Sequence, residues 1–310
     1  MKKKIKNQMT WRQFRQFIPL YLLILPGAIY LFINNYIPMT GIIVAFKDYS
    51  KKKGIFGSDW CRLENFEYLF KNDAAEIIRN TLLYNIVFIA LGMVVGVTLA
   101  ILITDVASKR AKKVYQSTIM FPFLISIVIV SYIVFAFFSV ENGMINNSIL
   151  EPLGKEAVKW YSEPKYWPFI LTFVNLWKGC GYGTLIYIAG ITGIDNSYYE
   201  AAKLDGATKW QQIRKITLPC LVPSIITMTM LNIGRIFCSD FGLFYQVPQN
   251  SGALFSVTNT IDTYVYRALM SAGGIGRSAA AGFFQSVVGF VLVITVNSLV
   301  RKFSKENAMF

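Results

Sequence analysis

Residue types able to do covalent chemistry are scarce in this chain. It has no histidine, and its cysteines, Cys61, Cys180, Cys220 and Cys238, form no C-x-x-C pair. Zinc and redox centres need such clusters, so the sequence argues against a metal enzyme. No G-x-x-x-x-G-K-[ST] run is present to cradle nucleotide phosphates. The glycine-rich runs at 179–183 and 273–276 lack the lysine and read as a helix-packing point and a turn. Polar residues inside apolar blocks are more informative: Lys178, Arg235 and Asp240, with Tyr84, Asn175, Trp177 and Asn232. Charge within a membrane span is costly and marks a functional path. Aromatic faces pack on sugar rings and amides bind hydroxyls, so this set suits translocation of a glycan. The rival reading is structural: a snorkelling lysine, an Arg235–Asp240 ion pair and ordinary interhelical amides.

A second spacing does mechanical work. Residues 195–219 read DNSYYEAAKLDGATKWQQIRKITLP. Ser197 and Glu200 stand as S-x-x-E, a helix-start pattern. The run from Glu200 to Leu204 is rich in helix formers. After Asp205, Gly206 bends the chain, because it lacks Cβ and takes positive φ. Residues 207–216 predict a second helix, ended by Pro219. Its apolar anchors are few, mainly Leu204, Trp210, Ile213 and Ile216. Such a helix pair either lies on lipid headgroups or docks into a groove of a cytosolic partner.

The elements that position these residues are apolar. Of 310 residues, 54% are hydrophobic and 15% charged, against about 25% charged in soluble domains. Apolar blocks about 20 long, the length that crosses a bilayer, fall at 17–37, 81–104, 115–138, 167–189, 221–241 and 280–300. The sequence therefore predicts an all-α membrane protein with six transmembrane helices. The first block follows Lys2, Lys3, Lys4, Lys6, Arg12 and Arg15, but it is longer than a signal-peptide core and no small-x-small site follows it. Lysine and arginine concentrate at 2–15, 109–113, 203–215 and 301–305, which places both termini in the cytoplasm; Lys51-Lys52-Lys53 runs against that trend. The resulting organisation is a basic N-terminus at 1–16, a first span at 17–37, an extracytoplasmic loop at 38–79, a core at 80–300 and a tail at 301–310. The +14 net charge is spread between apolar blocks rather than gathered on a soluble module, which argues against nucleic-acid binding. Tyr36, Trp160, Tyr161, Tyr166 and Trp167 are expected at headgroup level. Gly92-x-x-x-Gly96, followed by Ala100, predicts a flat face for intramolecular helix packing. The Asn146-Asn147-Ser148 sequon reads as chance.

Glu200-Ala201-Ala202, Gly206 and Ile216-x-Leu218-Pro219 resemble the E-A-A-x-x-x-G…I-x-L-P loop of permease subunits of type I, maltose-transporter-like ABC importers. Segments 45–49, 54–60, 65–70, 80–81 and 261–267 resemble the subgroup for complex oligosaccharides. The chain departs at Cys61-Arg62, where that pattern carries small residues including glycine. The resemblance implies the type I ABC importer permease fold in a bacterial plasma membrane. It implies that 195–219 is a coupling helix seated in a cleft of an ATPase subunit, through Ser197, Glu200, Ala201, Ala202, Asp205, Gly206, Ile216, Leu218 and Pro219. It also implies no cofactor in this chain, with ATP and Mg on a partner ATP-binding dimer. The other implied partners are a second, different permease, an extracytoplasmic solute-binding lipoprotein and an oligosaccharide, moved by alternating access.

Three rivals remain open. An importer of the same design for another solute shares every feature above. An ion-coupled secondary transporter often shows inverted repeats, and no repeat is visible. A membrane enzyme needs clustered catalytic side chains.

Overall fold

The computed structural model describes residues 11–72, 74–271 and 273–303. Residues 2–10 of the basic run at 2–15 and the tail from 304 lie outside them. The helices are α1 (Trp11–Leu31), α2 (Glu64–Asn72), α3 (Ala74–Asp105), α4 (Lys109–Leu124), α5 (Ile127–Phe138), α6 (Trp167–Thr192), α7 (Asn196–Leu204), α8 (Lys209–Gln212), α9 (Leu218–Ile233), α10 (Ile261–Met270) and α11 (Ile275–Phe303), with shorter turns between. A two-residue hairpin, β1 (Lys47–Asp48) and β2 (Asp59–Trp60), pairs Lys47 with Trp60.

Among the described residues, four helical stretches are long and apolar enough to cross a membrane: Phe17–Phe46, Ala74–Asp105, Lys209–Ile233 and Ile275–Lys302. The pair α4 and α5, bent by 92° at the break between them, makes a fifth if the two form one span. The predicted span at 115–138 is thus two helices meeting at a bend. Pro122 removes a backbone donor near the end of α4, and the Ser126 hydroxyl caps Val128 N–H to start α5. The block at 167–189 forms the 26-residue α6, which is not among the most apolar stretches. Its residues Trp167, Ile170, Leu171 and Val174 instead build the largest buried cluster, with Tyr84, Val130, Leu243 and Phe244. Trp167 has 0% exposure, so it is a core residue and not the headgroup anchor its position suggested; its indole donates to Trp160 O at 2.7 Å.

A second cluster joins α3 to α6 and α9 through Val97, Ala100, Tyr187, Ile188 and Leu221. Gly96 meets the Tyr187 ring there, whereas Gly92 has nothing within 4 Å, so only one end of the small-residue face is a packing contact. At Gly181 a Cβ would sit 2.1 Å from Ile119 O, so α6 and α4 cross backbone to backbone. An outer cluster of Leu69, Ile77, Ile261 and Tyr264 ties α2, α3 and α10 together. In the outer loop Cys61 is buried and accepts from the Asn65 amide at 3.3 Å; burial pushes its thiol pKa up. Arg62 beside it takes φ 54°, where glycine is favoured. The Asn146 side chain is 2% exposed and holds Val158 N and Trp160 Nε1, so the sequon serves internal packing.

Candidate functional site: a bent surface loop and a polar cavity

The loop at 195–219 folds by local rules that its sequence carries only in part. Asp195, not Ser197, is the N-cap of α7: its Oδ1 accepts Ser197 N–H at 2.9 Å. That hydrogen bond holds the Asp195 carboxyl below its usual pKa. Glu200 therefore lies inside the helix rather than closing a capping box. The helix ends as a Schellman motif. Ala207 N–H donates to Ala202 O at 2.8 Å, Gly206 N–H donates to Lys203 O at 3.1 Å, and Gly206 takes φ 76°. The capping box belongs to the next helix, where Thr208 N–H donates to Gln211 Oε1 at 2.7 Å and Thr208 Oγ1 accepts Gln211 N–H.

Pro219 does not end that helix. A π-helical turn, Ile213–Thr217, joins α8 to α9, and Pro219 sits in the first turn of α9. The widened turn accommodates a residue with no N–H, so one helix continues from Lys209 to Ile233. Tyr199 and Thr217 pair through their hydroxyls at 2.9 Å, and Lys209 forms an ion pair with Asp105. These contacts fix the loop on the ends of α3 and α9. Ile213 and Ile216 are half-buried, and Leu218 packs on the second cluster. Leu204, Trp210 and Tyr198 are 90%, 70% and 61% exposed. Glu200 and Ala201 are also exposed. The loop thus presents an apolar surface that the described residues leave uncovered.

The predicted polar residues divide. Asn175, Asn232, Arg235 and Asp240 line one cavity of about 460 Å³ between α3, α6 and the end of α9. Arg235 and Asp240 lie past α9, which stops at Ile233, Arg235 in a turn and Asp240 in irregular backbone. They form no ion pair with each other; Asp240 Oδ1 accepts Leu243 N–H at 3.1 Å. Tyr84, Trp177 and Lys178 are not on the cavity wall. Tyr84 is buried against Phe244, ring centroids 4.8 Å apart, and its hydroxyl has no hydrogen-bond partner among the described residues. Trp177 packs on the same core. Lys178 Nζ donates to Phe123 O at 3.1 Å and Ile125 O at 2.7 Å, satisfying carbonyls freed where α4 breaks.

Other wall residues went unpredicted. The Asn85 amide donates to Ile236 O and Cys238 O at 3.0 and 2.9 Å, and so shapes the turn that carries Arg235. Its signal was an amide on the face that also carries Ile89 and Met93. Behind the wall, Asp262 Oδ2 accepts Ser239 N–H at 2.5 Å and Gln285 Nε2–H at 3.2 Å. Cys180 and Cys238 also line the cavity.

The sequence pattern of the family described as "Binding-protein-dependent transport system inner membrane component" matches residues 92–305. The chain is 34% identical over 288 residues to protein LplB of Bacillus subtilis, covering 93% of this chain and 90% of that relative. It is 35% identical over 288 residues to the polygalacturonan/rhamnogalacturonan transport system permease YteP of the same organism, covering 93% and 89%. Its fold matches a chain of a bacterial ABC transporter that imports the acidic polysaccharide alginate, with a TM-score of 0.85, 32% identity and coverage of 95% and 99%.

Proposed function

Because the chain belongs to the family of binding-protein-dependent transport system inner membrane components, we propose that its loop at 195–219 is the coupling element and its 460 Å³ cavity part of the translocation path. The chain is a permease subunit of an ABC importer for oligosaccharides, and it is a transport subunit rather than an enzyme. Energy comes from a partner ATPase dimer holding ATP and Mg. The other partners are a second permease of different sequence and an extracytoplasmic solute-binding lipoprotein. A solved alginate importer bound to a periplasmic protein carrying an alginate pentasaccharide supports the last. The setting is a bacterial plasma membrane, crossed six times with both termini inside.

One observation carries the coupling role. The bent helix pair is anchored to α3 and α9 on one side and leaves Leu204 and Trp210 bare on the other. A rigid lever with an uncovered apolar end suits helix-in-groove docking. Closing of the ATPase dimer moves that end, and the continuous helix from Lys209 to Ile233 carries the motion to Asn232 and Arg235 at the cavity. Such rigid-body transmission shifts the balance of inward and outward states only if the ATPase contacts them differently.

The test uses the reconstituted complete transporter. Trp210→Ala should abolish ATP-dependent glycan uptake while the subunit still inserts and assembles with its second permease. Wild-type uptake by that variant would refute the coupling role. Uptake that follows a proton gradient without ATP would favour the secondary-transporter reading instead.

A further inference from the structure

The cavity contains one cation whose hydrogen-bonding capacity is unspent. Arg235 donates no side-chain hydrogen bond and joins no ion pair among the described residues. A guanidinium carries five N–H donors in a planar fork, and leaving it unmatched near an apolar helix end is costly. The other charged groups nearby have partners within the chain, Asp240 through one of its two carboxylate oxygens. Asp240 caps Leu243 N–H, Asp262 is held by Ser239 and Gln285, and Lys178 serves the break after α4. Beside Arg235, the amides of Asn175 and Asn232 form no side-chain hydrogen bond either. The wall therefore offers one fork that fits a carboxylate with two parallel hydrogen bonds and, beside the hydroxyls of Tyr182 and Tyr187, two amides that fit sugar hydroxyls.

We propose that this cavity selects uronate-bearing oligosaccharides and that Arg235 is the specificity-determining residue, pairing with a sugar carboxylate. The assignment rests on the cavity being the translocation path. A neutral glycan satisfies the amides and leaves the guanidinium unmatched; a uronate satisfies all three.

Cys238, on the same wall, provides a readout at the cavity itself. In the complete transporter, with Cys61, Cys180 and Cys220 replaced by alanine, maleimide labelling of Cys238 is followed against trigalacturonate and against its carboxyl-reduced, neutral counterpart. Trigalacturonate should protect at concentrations about tenfold lower than the neutral trisaccharide, the least expected for a charge-assisted hydrogen bond. Arg235→Gln should remove that ratio, and Arg235→Lys should keep part of it. Equal protection by both sugars would overturn the role of Arg235 and leave the glycan path standing. A ratio that survives Arg235→Gln would also overturn that role. Protection by neither sugar would overturn the proposal and count against the path itself.

Discussion

At the residue scale, Gly206 separates two demands on the loop. Its φ of 76° strains any side chain, and nothing among the described residues lies within 4 Å of its missing Cβ. Left-handed backbone costs an ordinary residue about 1–2 kcal/mol, and asparagine visits it more readily. Gly206→Asn should therefore keep the bend, while Gly206→Val should lose it and abolish ATP-dependent uptake in vesicles. Equal loss with both would mean that the partner's close approach, not φ, requires glycine. Asp195→Ala should speed amide exchange at Ser197 severalfold, and Asp195→Asn, which also caps, should not. The pH dependence follows from a depressed carboxyl pKa. The cap's contribution is complete above the unfolded value of about 3.9 and is lost as pH falls through the lower folded one. Exchange protection should then be level across roughly pH 5–8, after correction for the intrinsic exchange rate. The cap itself was ambiguous in the sequence, because Asp195, Asn196 and Ser197 are three consecutive capping types and only backbone geometry chooses among them. The wall residues were half legible. Asn175, Gly179 and Tyr182 share the cavity face of α6, while Trp177 and Lys178 fall off it, a rotation that depends on how α6 meets its neighbours.

At the element scale, the break between α4 and α5 and the helix running through Pro219 show where prolines mislead. Apolar length marked both spans, but it does not say whether a proline bends, ends or begins a helix. Pro122 precedes a 92° bend, whereas a π turn absorbs Pro219. Neither the capping hydroxyl of Ser126 nor the reach of Lys178 across to α4 is visible in local pattern. Lys178→Met should unsettle the bend by leaving the Phe123 and Ile125 carbonyls without their donor. A loss of about 1.5–3 kcal/mol is expected for charged hydrogen bonds, read as a lower unfolding midpoint of the purified complex. Gly181→Leu should lower it further, since its Cβ would fall 2.1 Å from Ile119 O and drive α4 from α6.

At the scale of the whole molecule, the chain reads as one part of a larger machine. The apolar window in Phe17–Phe46 has 0% of its residues buried within this chain, so lipid or a neighbouring subunit covers it. The loop at 195–219 leaves its apolar end bare on the surface. The membrane class and the loop's place between α6 and α9 were legible from block length and from the E-A-A pattern. The cavity was not, because it arises from three helices distant in sequence. Coupling requires this loop to meet the ATPase and move with it. The direct measurement is disulfide cross-linking from Leu204→Cys, with this chain's native cysteines replaced, to cysteines placed in the ATPase subunit's surface cleft, in membrane vesicles with and without ATP. The expected result is a cross-link to that subunit whose yield changes when nucleotide binds. No cross-link, or labelling of residue 204 only from the outer face of the membrane, would contradict it.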